Sequence, residues 1–253
     1  MLRLDKFLAN MKVGSRSQVH EIIKAGQVTV NGKVCRSAKQ KVKEDAEVLV
    51  NGQAVVYQQY HYFLLNKPAG VLSATEDSRQ KTVLDLLKDQ DRYQKIAPVG
   101  RLDKDTTGLL LLTNDGQLAH QLLAPEYHVP KTYYALLAGV ADEETAKAIA
   151  AGLTLKDGTE LKPGQLKILR QDKDQEQSEI EITITEGKYH QVKRMIAAVG
   201  NRVEGLHRSR IGSMDLPADL APGQWRWLNA SDLSLLTMRS NIRPRPCEVS
   251  TQP

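Results

Sequence analysis

Cysteine is almost missing from this chain. The two that occur, Cys35 and Cys247, stand near opposite ends, without a C-x-x-C pair or a histidine at metal-ligand spacing. That argues against a disulfide framework and gives no sign of a zinc site, so no metal is expected. Long apolar runs are missing as well. Met1 is followed by Leu2, Arg3, Leu4, Asp5 and Lys6, which leaves no apolar stretch of signal length, and no later stretch is long enough to span a bilayer. A soluble, cytoplasmic protein with no membrane partner is the expectation. No internal repeat is found.

What is present suffices for a packed core: 253 residues, 41% of them hydrophobic, room for one large domain or two unequal ones. The charge is unevenly spread. Residues 1 to 43 hold ten Lys/Arg (Arg3, Lys6, Lys12, Arg16, Lys24, Lys33, Arg36, Lys39, Lys41, Lys43) against Asp5 and Glu21, a local charge of +8 that leaves −3 for the rest of a chain of net charge +5. A basic module beside a near-neutral body suits a phosphate-binding domain joined to a catalytic one. A solvated surface would carry the same charge.

Leu4, Phe7, Leu8 and Met11 repeat at the spacing of one helical face, and Gly14 follows where a left-handed cap is expected. Ser15 with Gln18 forms a capping-box pattern, after which Val19, Ile22 and Ile23 mark a second short helix ending at Gly26. Val28, Val30, Asn31-Gly32 and Val34 read as two strands joined by a type I′ turn, since Asn-Gly tolerates the positive φ angles such a turn needs. Residues 3 to 32 thereby resemble the S4-type RNA-binding domain: Arg3, Asp5, Ser15, Arg16, Gly26, Val28, Val30, Asn31 and Gly32 match its recurrent elements in order. The resemblance implies RNA contact, through Arg3, Lys6, Arg16 and Lys24, and no particular reaction.

Tyr62 to Asn66 is a short apolar strand stopped by Lys67-Pro68-Ala69-Gly70, and Thr82 to Leu87 is a brief helical pattern. Leu109 to Leu112 reads as a buried strand, entered through a Thr-Thr-Gly turn at 106 to 108 and left through Asn114-Asp115-Gly116. Asp103 then sits on a loop just before that strand, a rigid place for a polar group. Ile180, Ile182 and Ile184 alternate as a half-buried strand ended by Gly187, and Val192, Met195, Ile196 and Val199 mark a helix stopped by Gly200. Past about Arg239 the chain loses its periodicity and reads as a disordered tail.

Three segments could assemble one site: the Asp103 loop, the Lys131-Thr132-Tyr133 strand, and Gly187 to Met195. Together they resemble the pseudouridine synthases. The family pattern of Gly-Arg-Leu-Asp, two residues, Ser/Thr, one residue and Gly-Leu is met by Gly100, Arg101, Leu102, Asp103, Thr106, Gly108 and Leu109. Lys-Tyr-His-Gln-Val-Lys-Arg at 188 to 194 points to the RsuA branch, which acts on small-subunit rRNA, where related branches carry Arg-Asn-Arg-Gln-Val-Arg-Arg. The resemblance implies isomerisation of one uridine of 16S ribosomal RNA, at position 516, during small-subunit biogenesis, with a 23S target as the alternative. The substrate would be naked rRNA or an assembly intermediate, the protein a monomer without a cofactor.

Pseudouridine formation breaks the bond from sugar C1′ to N1 of uracil and remakes it to C5. It needs a carboxylate near C1′ and C6 and no redox agent. The resemblance makes Asp103 that carboxylate, as nucleophile or as base toward the sugar. Lys193 matches the cation that pairs with it, a contact worth roughly 4 kcal/mol at about 4 Å in an effective dielectric near 20. Tyr133 matches the aromatic that stacks on the extruded base. Arg101, His190, Arg194, Arg208 and Arg210 would hold RNA.

Plainer readings exist. Asp103 and Asp105 could cap a turn, and Arg202, His207, Arg208 and Arg210 could be a strand's polar surface face. Asp103-Lys104-Asp105-Thr106-Thr107 also fits the Asp-x-Asp-x-Thr signature of aspartate-nucleophile phosphatases, but there a hydrophobic strand precedes the first Asp, whereas here it follows. A paired-carboxylate glycosidase suffers because sequence neighbours rarely bracket a sugar from both faces. A non-catalytic RNA-binding assembly factor would not need Asp103, Tyr133 and Lys193 together. The expected fold class is α+β: an S4-like domain at 1–59, a catalytic domain at 60–235 on a mixed, largely antiparallel sheet, and a tail at 236–253.

Overall fold

The computed structural model describes residues 1–88, 91, 93, 95–172 and 174–237. They form two compact units, one of Met1–His61 with Lys88–Ile96, the other of Tyr62–Leu87 continued from Ala97. Lys88, Asp91, Tyr93, Lys95 and Ile96, which the sequence reading leaves in the second domain, group with the first unit. Tyr93 stacks on His61 there with ring centroids 3.6 Å apart, and Lys12 Nζ lies 5.4 Å from the Tyr93 centroid. Periodicity cannot reveal such a return, because it is made by single aromatic residues far apart in the chain. Of the expected tail, Leu236 and Thr237 belong to a helix, and residues 238–253 lie outside the described residues.

In the first unit α1 (Leu4–Asn10) buries Leu4, Phe7 and Leu8. Its left-handed residue is Lys12, at φ 58°, and not Gly14. Val13 N donates to Leu8 O at 3.1 Å and Lys12 N to Ala9 O at 3.1 Å, the two bonds of a Schellman cap. The helix stops at Asn10, where the left-handed Lys12 turns the chain away, and Met11 packs on the core from outside the last turn. Ser15 and Gln18 form the capping box of α2 (Arg16–Lys24), which ends at Gly26 with φ 78°. Strands β1 (Val28–Val30) and β2 (Lys33–Cys35) are joined by Asn31 and Gly32, both at positive φ as a type I′ turn requires. Asn51-Gly52 repeats that turn between β3 (Val48–Val50) and β4 (Gln53–Ala54), a hairpin the sequence reading passes over although the same dipeptide marks it. The strands run in the order β2-β1-β3-β4, and Val28, Val30 and Val48 close a core with Leu4, Phe7, Leu8, Val19 and Ile23.

The second unit is built on one sheet. Its long strands are β5 (Tyr62–Lys67), β6 (Thr107–Thr113), β7 (Lys131–Leu137), β8 (Gln165–Asp172), β9 (Gln177–Ile184), β10 (Val203–Ile211) and β11 (Trp225–Trp227), in the order β8-β9-β7-β10-β6-β5-β11. Two-residue strands at Ala97–Pro98 and Met214–Asp215 add to β6 and β10. Among these pairings only β10 with β6 is parallel, so the sheet is mixed and mostly antiparallel, as expected. Helices α3 (Gly116–Leu123), α4 (Glu143–Ala151), α5 (Gln191–Ala198) and α6 (Ala230–Thr237) connect or follow the strands.

Ile180, Ile182 and Ile184 are the buried apolar positions of β9, and Val192, Met195 and Ile196 those of α5. Thr-Thr-Gly at 106 to 108 is not a turn: Thr107 and Gly108 already belong to β6. A Cβ on Gly108, at φ 102°, would stand 2.3 Å from the carbonyl oxygen of Arg208. Only glycine lets β10 approach at the Arg208–Gly108 pairing.

Candidate active site

Asp103 stands on the 100–106 loop that leads into β6, and the loop is pinned from below. Lys67, the last residue of β5, is fully buried, and its Nζ donates to Thr106 O at 2.9 Å, Pro68 O at 3.0 Å and Lys104 O at 3.2 Å. Burial pulls its pKa down to about 8, against the opposing charges of Asp105 and Asp103. Ser73 clamps the other flank, its Oγ donating to Leu102 O at 2.9 Å and accepting from Leu102 N at 3.1 Å. Thr106 N donates to Asp103 O at 3.1 Å and closes the turn. The backbone on both sides of Asp103 is therefore held by groups 30 or more residues away in sequence or nearly so.

The loop borders an open cleft of about 110 Å³. The floor is the sheet face: Lys131 and Tyr133 of β7 alternate onto it, with Ile184 of β9 and Leu206 and Arg208 of β10. The walls are Gly100 to Asp103 on one side and Gly187 to Lys193 on the other. Lys193, in the first turn of α5, reaches both carboxylates of the loop. Its Nζ lies 3.3 Å from Asp103 Oδ2 and closer, at 2.7 and 2.8 Å, to the two oxygens of Asp105. Burial lowers the Lys193 pKa, but the hydrogen bond to Asp105 and the charge of Asp103 overcome it and the net shift is upward. The same hydrogen bond holds the Asp105 carboxyl below its ordinary value. His190, at φ 48°, places Nε2 3.3 Å from Asp103 Oδ1, a contact that becomes an ion pair on protonation. The Tyr189 ring, 75% exposed, stacks on the His190 ring at 3.9 Å.

The structure thus brings Asp103, Tyr133 and Lys193 to one cleft together with Arg101, His190 and Arg208. Arg208 is not on a surface face. It is 4% exposed, donates from Nε to Leu109 O at 2.8 Å, and holds Cζ 6.0 Å from the Tyr133 ring centroid. A register shift between Thr132 and Tyr133 puts Arg210 opposite Thr132 and Arg208 opposite Tyr133. Arg210 consequently lies outside the cleft lining and pairs with Asp215. Arg194 also lies outside it and pairs with Asp157. His207 is partly buried, its Nδ1 2.8 Å from Thr107 Oγ1, and burial lowers its pKa. In the first unit Lys6, Arg16 and Lys24 are exposed, while Arg3 binds Asp5 at 2.6 and 3.1 Å. That hydrogen bond is the main reason the Asp5 pKa falls to about 2.

Three site residues escape the sequence reading. Lys67 reads as a strand stop, Ser73 as nothing, and Lys131 only as the start of a strand. A lysine beside Pro-Ala-Gly carries no local sign that its amine will turn inward onto a distant loop. Asp105, read as a turn cap, is the nearer partner of Lys193.

The family model described as RNA pseudouridylate synthase matches residues 61–198, and the S4 domain model matches residues 2–48. The chain is 48% identical over 236 residues to a Bacillus subtilis protein named Uncharacterized RNA pseudouridine synthase YtzG, covering 93% of this chain and 98% of that one. It is 41% identical over 235 residues to Ribosomal small subunit pseudouridine synthase A of Escherichia coli K12, covering 92% and 99%. A solved structure titled "Crystal structure of pseudouridylate synthase" superimposes with a TM-score of 0.64 at 36% identity, covering 93% of this chain and all of that one.

Proposed function

Since the chain belongs to the RNA pseudouridylate synthase family and carries an S4 domain at its start, we propose that it isomerises one uridine of small-subunit ribosomal RNA, with Asp103 as the reacting carboxylate. The phosphatase reading is set aside by the same membership. The observation that carries the proposal is the grouping of Asp103, Lys193 and Tyr133 around one cleft, from three segments of sequence that share nothing but this site.

The extruded uridine enters with its base on the Tyr133 face. Asp103 then reaches C1′ or the sugar proton beside it, with the Lys193 ammonium beside one carboxylate oxygen and the His190 ring beside the other. Because Lys193 is shared with the exposed Asp105, it can shift toward Asp103 when water leaves the cleft. Arg101, exposed beside Asp103, supports the RNA around the extruded nucleotide. Exposed Lys6, Arg16 and Lys24 of the S4 domain meet phosphates elsewhere on the RNA. The relative named for the small subunit supports a 16S target, with position 516 as the expected uridine and subunit biogenesis as the setting.

The test is Asp103→Asn, nearly isosteric but without charge. Turnover should vanish while RNA affinity stays within a few-fold. Turnover within about tenfold of wild type, roughly 1.4 kcal/mol in barrier, would sink the assignment. Mapping pseudouridines in rRNA from cells lacking the gene, with and without its restoration, tests the target: a missing modification in 23S instead of 16S rRNA would move it.

A further inference from the structure

We propose that Lys131 and Arg208 are a further catalytic pair, a cationic floor that takes up the negative charge of the uracil ring while it is detached from its sugar. The inference rests on the reading that this cleft is the reaction site.

Both side chains line the cleft although they are only 5% and 4% exposed. Their charges have no carboxylate partner among the described residues. Lys131 Nζ donates to the Val129 carbonyl at 3.0 Å, and Arg208 donates from Nε to the Leu109 carbonyl at 2.8 Å, with its buried Nη2 left without a hydrogen-bond partner. The acids of the site are committed elsewhere, since Asp103 and Asp105 face Lys193 on the wall. Two buried cations side by side repel each other and lose hydration. Burial, and then the charge of Arg208, bring the Lys131 pKa down to about 8. A fold that keeps such a pair uncompensated has a place for an anion that is not part of the protein.

The reaction supplies that anion. The N1–C1′ bond breaks with its electron pair staying on uracil, so the ring carries one negative charge spread over N1, O2 and O4. The ring then turns, C5 bonds to C1′, the C5 proton leaves to a base and N1 takes one up, so atoms and charge balance with no added reagent. On either route open to Asp103 the ring passes through this state. Tyr133 lines the same cleft as Lys131, and the Arg208 Cζ lies 6.0 Å from its ring centroid, so a base bound against Tyr133 stands in the cleft that both cations line. A fixed positive charge in a cleft partly closed to water favours the detached ring over the bound uridine.

A purely structural role, in which Lys131 ties down Val129 and Arg208 ties β10 to β6, would also lower activity, so the test must read charge on the ring. Lys131→Met and Arg208→Met are compared with wild type in single-turnover cleavage of the glycosidic bond, on saturating rRNA fragment carrying uridine or 5-fluorouridine at the target. Fluorine makes the ring a better leaving group that needs less help. On uridine each variant should lose about 10²- to 10³-fold in rate, the usual cost of one charge-stabilising donor, with RNA affinity within about threefold. On 5-fluorouridine the loss should be at least about tenfold smaller, and Lys131→Arg and Arg208→Lys should recover part of the rate. Equal losses on the two substrates, or rates near wild type on uridine, overturn the inference. Should the neutral variants fail to fold, wild-type protein decides: free 5-fluorouracil, partly ionised just above neutral pH, should bind tighter than uracil, and equal binding overturns the idea. Asp103→Asn separates the premises. If that variant turns over RNA, the cleft is not the reaction site. If it is dead while the floor variants are unimpaired, only the present inference fails.

Discussion

A buried lysine that donates to two carbonyl oxygens of a distant loop, and to its own neighbour's, has a mechanical effect, to hold that loop still. Lys67→Met keeps the volume and removes the donor from Thr106 O, Lys104 O and Pro68 O. The rate should fall by about 10²-fold with little change in RNA affinity, because a misplacement of about 1 Å at the reacting carboxylate is enough; an unchanged rate in stopped-flow would show that Ser73 alone positions Asp103. The pKa near 8 gives a second outcome. In the unfolded chain the same amine titrates near 10.5, so between about pH 8 and 10.5 the unfolded state holds more protons, and the Lys67 contribution to unfolding free energy rises with pH. Wild type minus Lys67→Met, followed by urea unfolding at several pH values, should slope upward across that window; a flat difference means the amine stays charged when buried. Lys193 behaves in the opposite sense. Its pKa is raised by its carboxylates, so its stabilising contribution is present below about 10.5 and fades above it.

At the scale of elements, the parallel contact of β10 with β6 decides where Arg208 and the Asp103 loop meet, and Gly108 makes that contact possible. Gly108→Ala sets a methyl 2.3 Å from backbone that cannot swing away, at a φ of 102° that alanine resists. A loss of roughly 2 to 4 kcal/mol is expected from strain and clash together. Gly116→Ala, where an added Cβ meets nothing within 4 Å, serves as the neutral control. Chemical denaturation of the two variants checks both; equal stabilities would mean that the sheet slides to make room. The bulge opposite Thr132 and Tyr133 matters in the same way. By shifting the register once, it sends Arg208 to the floor of the cleft and Arg210 away from it.

For the whole molecule, the +8 charge within the first 43 residues should give a salt-dependent hold on RNA separate from the chemistry. Arg3 is occupied by Asp5, so of the four cations expected to meet RNA the exposed ones to remove are Lys6, Arg16 and Lys24. Replacing all three with Gln should flatten the plot of log affinity against log salt by about 2 to 3, at 0.7 to 0.9 per phosphate contact. The single-turnover rate on saturating RNA should stay close to wild type, since none of the three lines the cleft. An unchanged slope would assign those cations to plain solvation and leave the RNA to the second unit.

Local chemistry settles within a few residues, and there the amino-acid order was sufficient. Ser15 with Gln18, Asn31-Gly32, the alternating isoleucines of β9 and the apolar stripe of α5 each specify their own backbone. The motif from Gly100 to Leu109 likewise made the family and the grouping of Asp103, Tyr133 and Lys193 legible, because a constellation of rare residue types at set spacing survives in linear form. What the order could not disclose depends on separations of about thirty residues or more: Lys67 and Ser73 beneath the loop, the return of Lys88–Ile96 to the first unit, the sharing of Lys193 between two carboxylates. A lysine is written the same way whether it ends in solvent or under a sheet. Only the pairing of β10 with β6 and β7 decides that Arg208 is buried and Arg210 is not, and so which of the two cations lines the cleft.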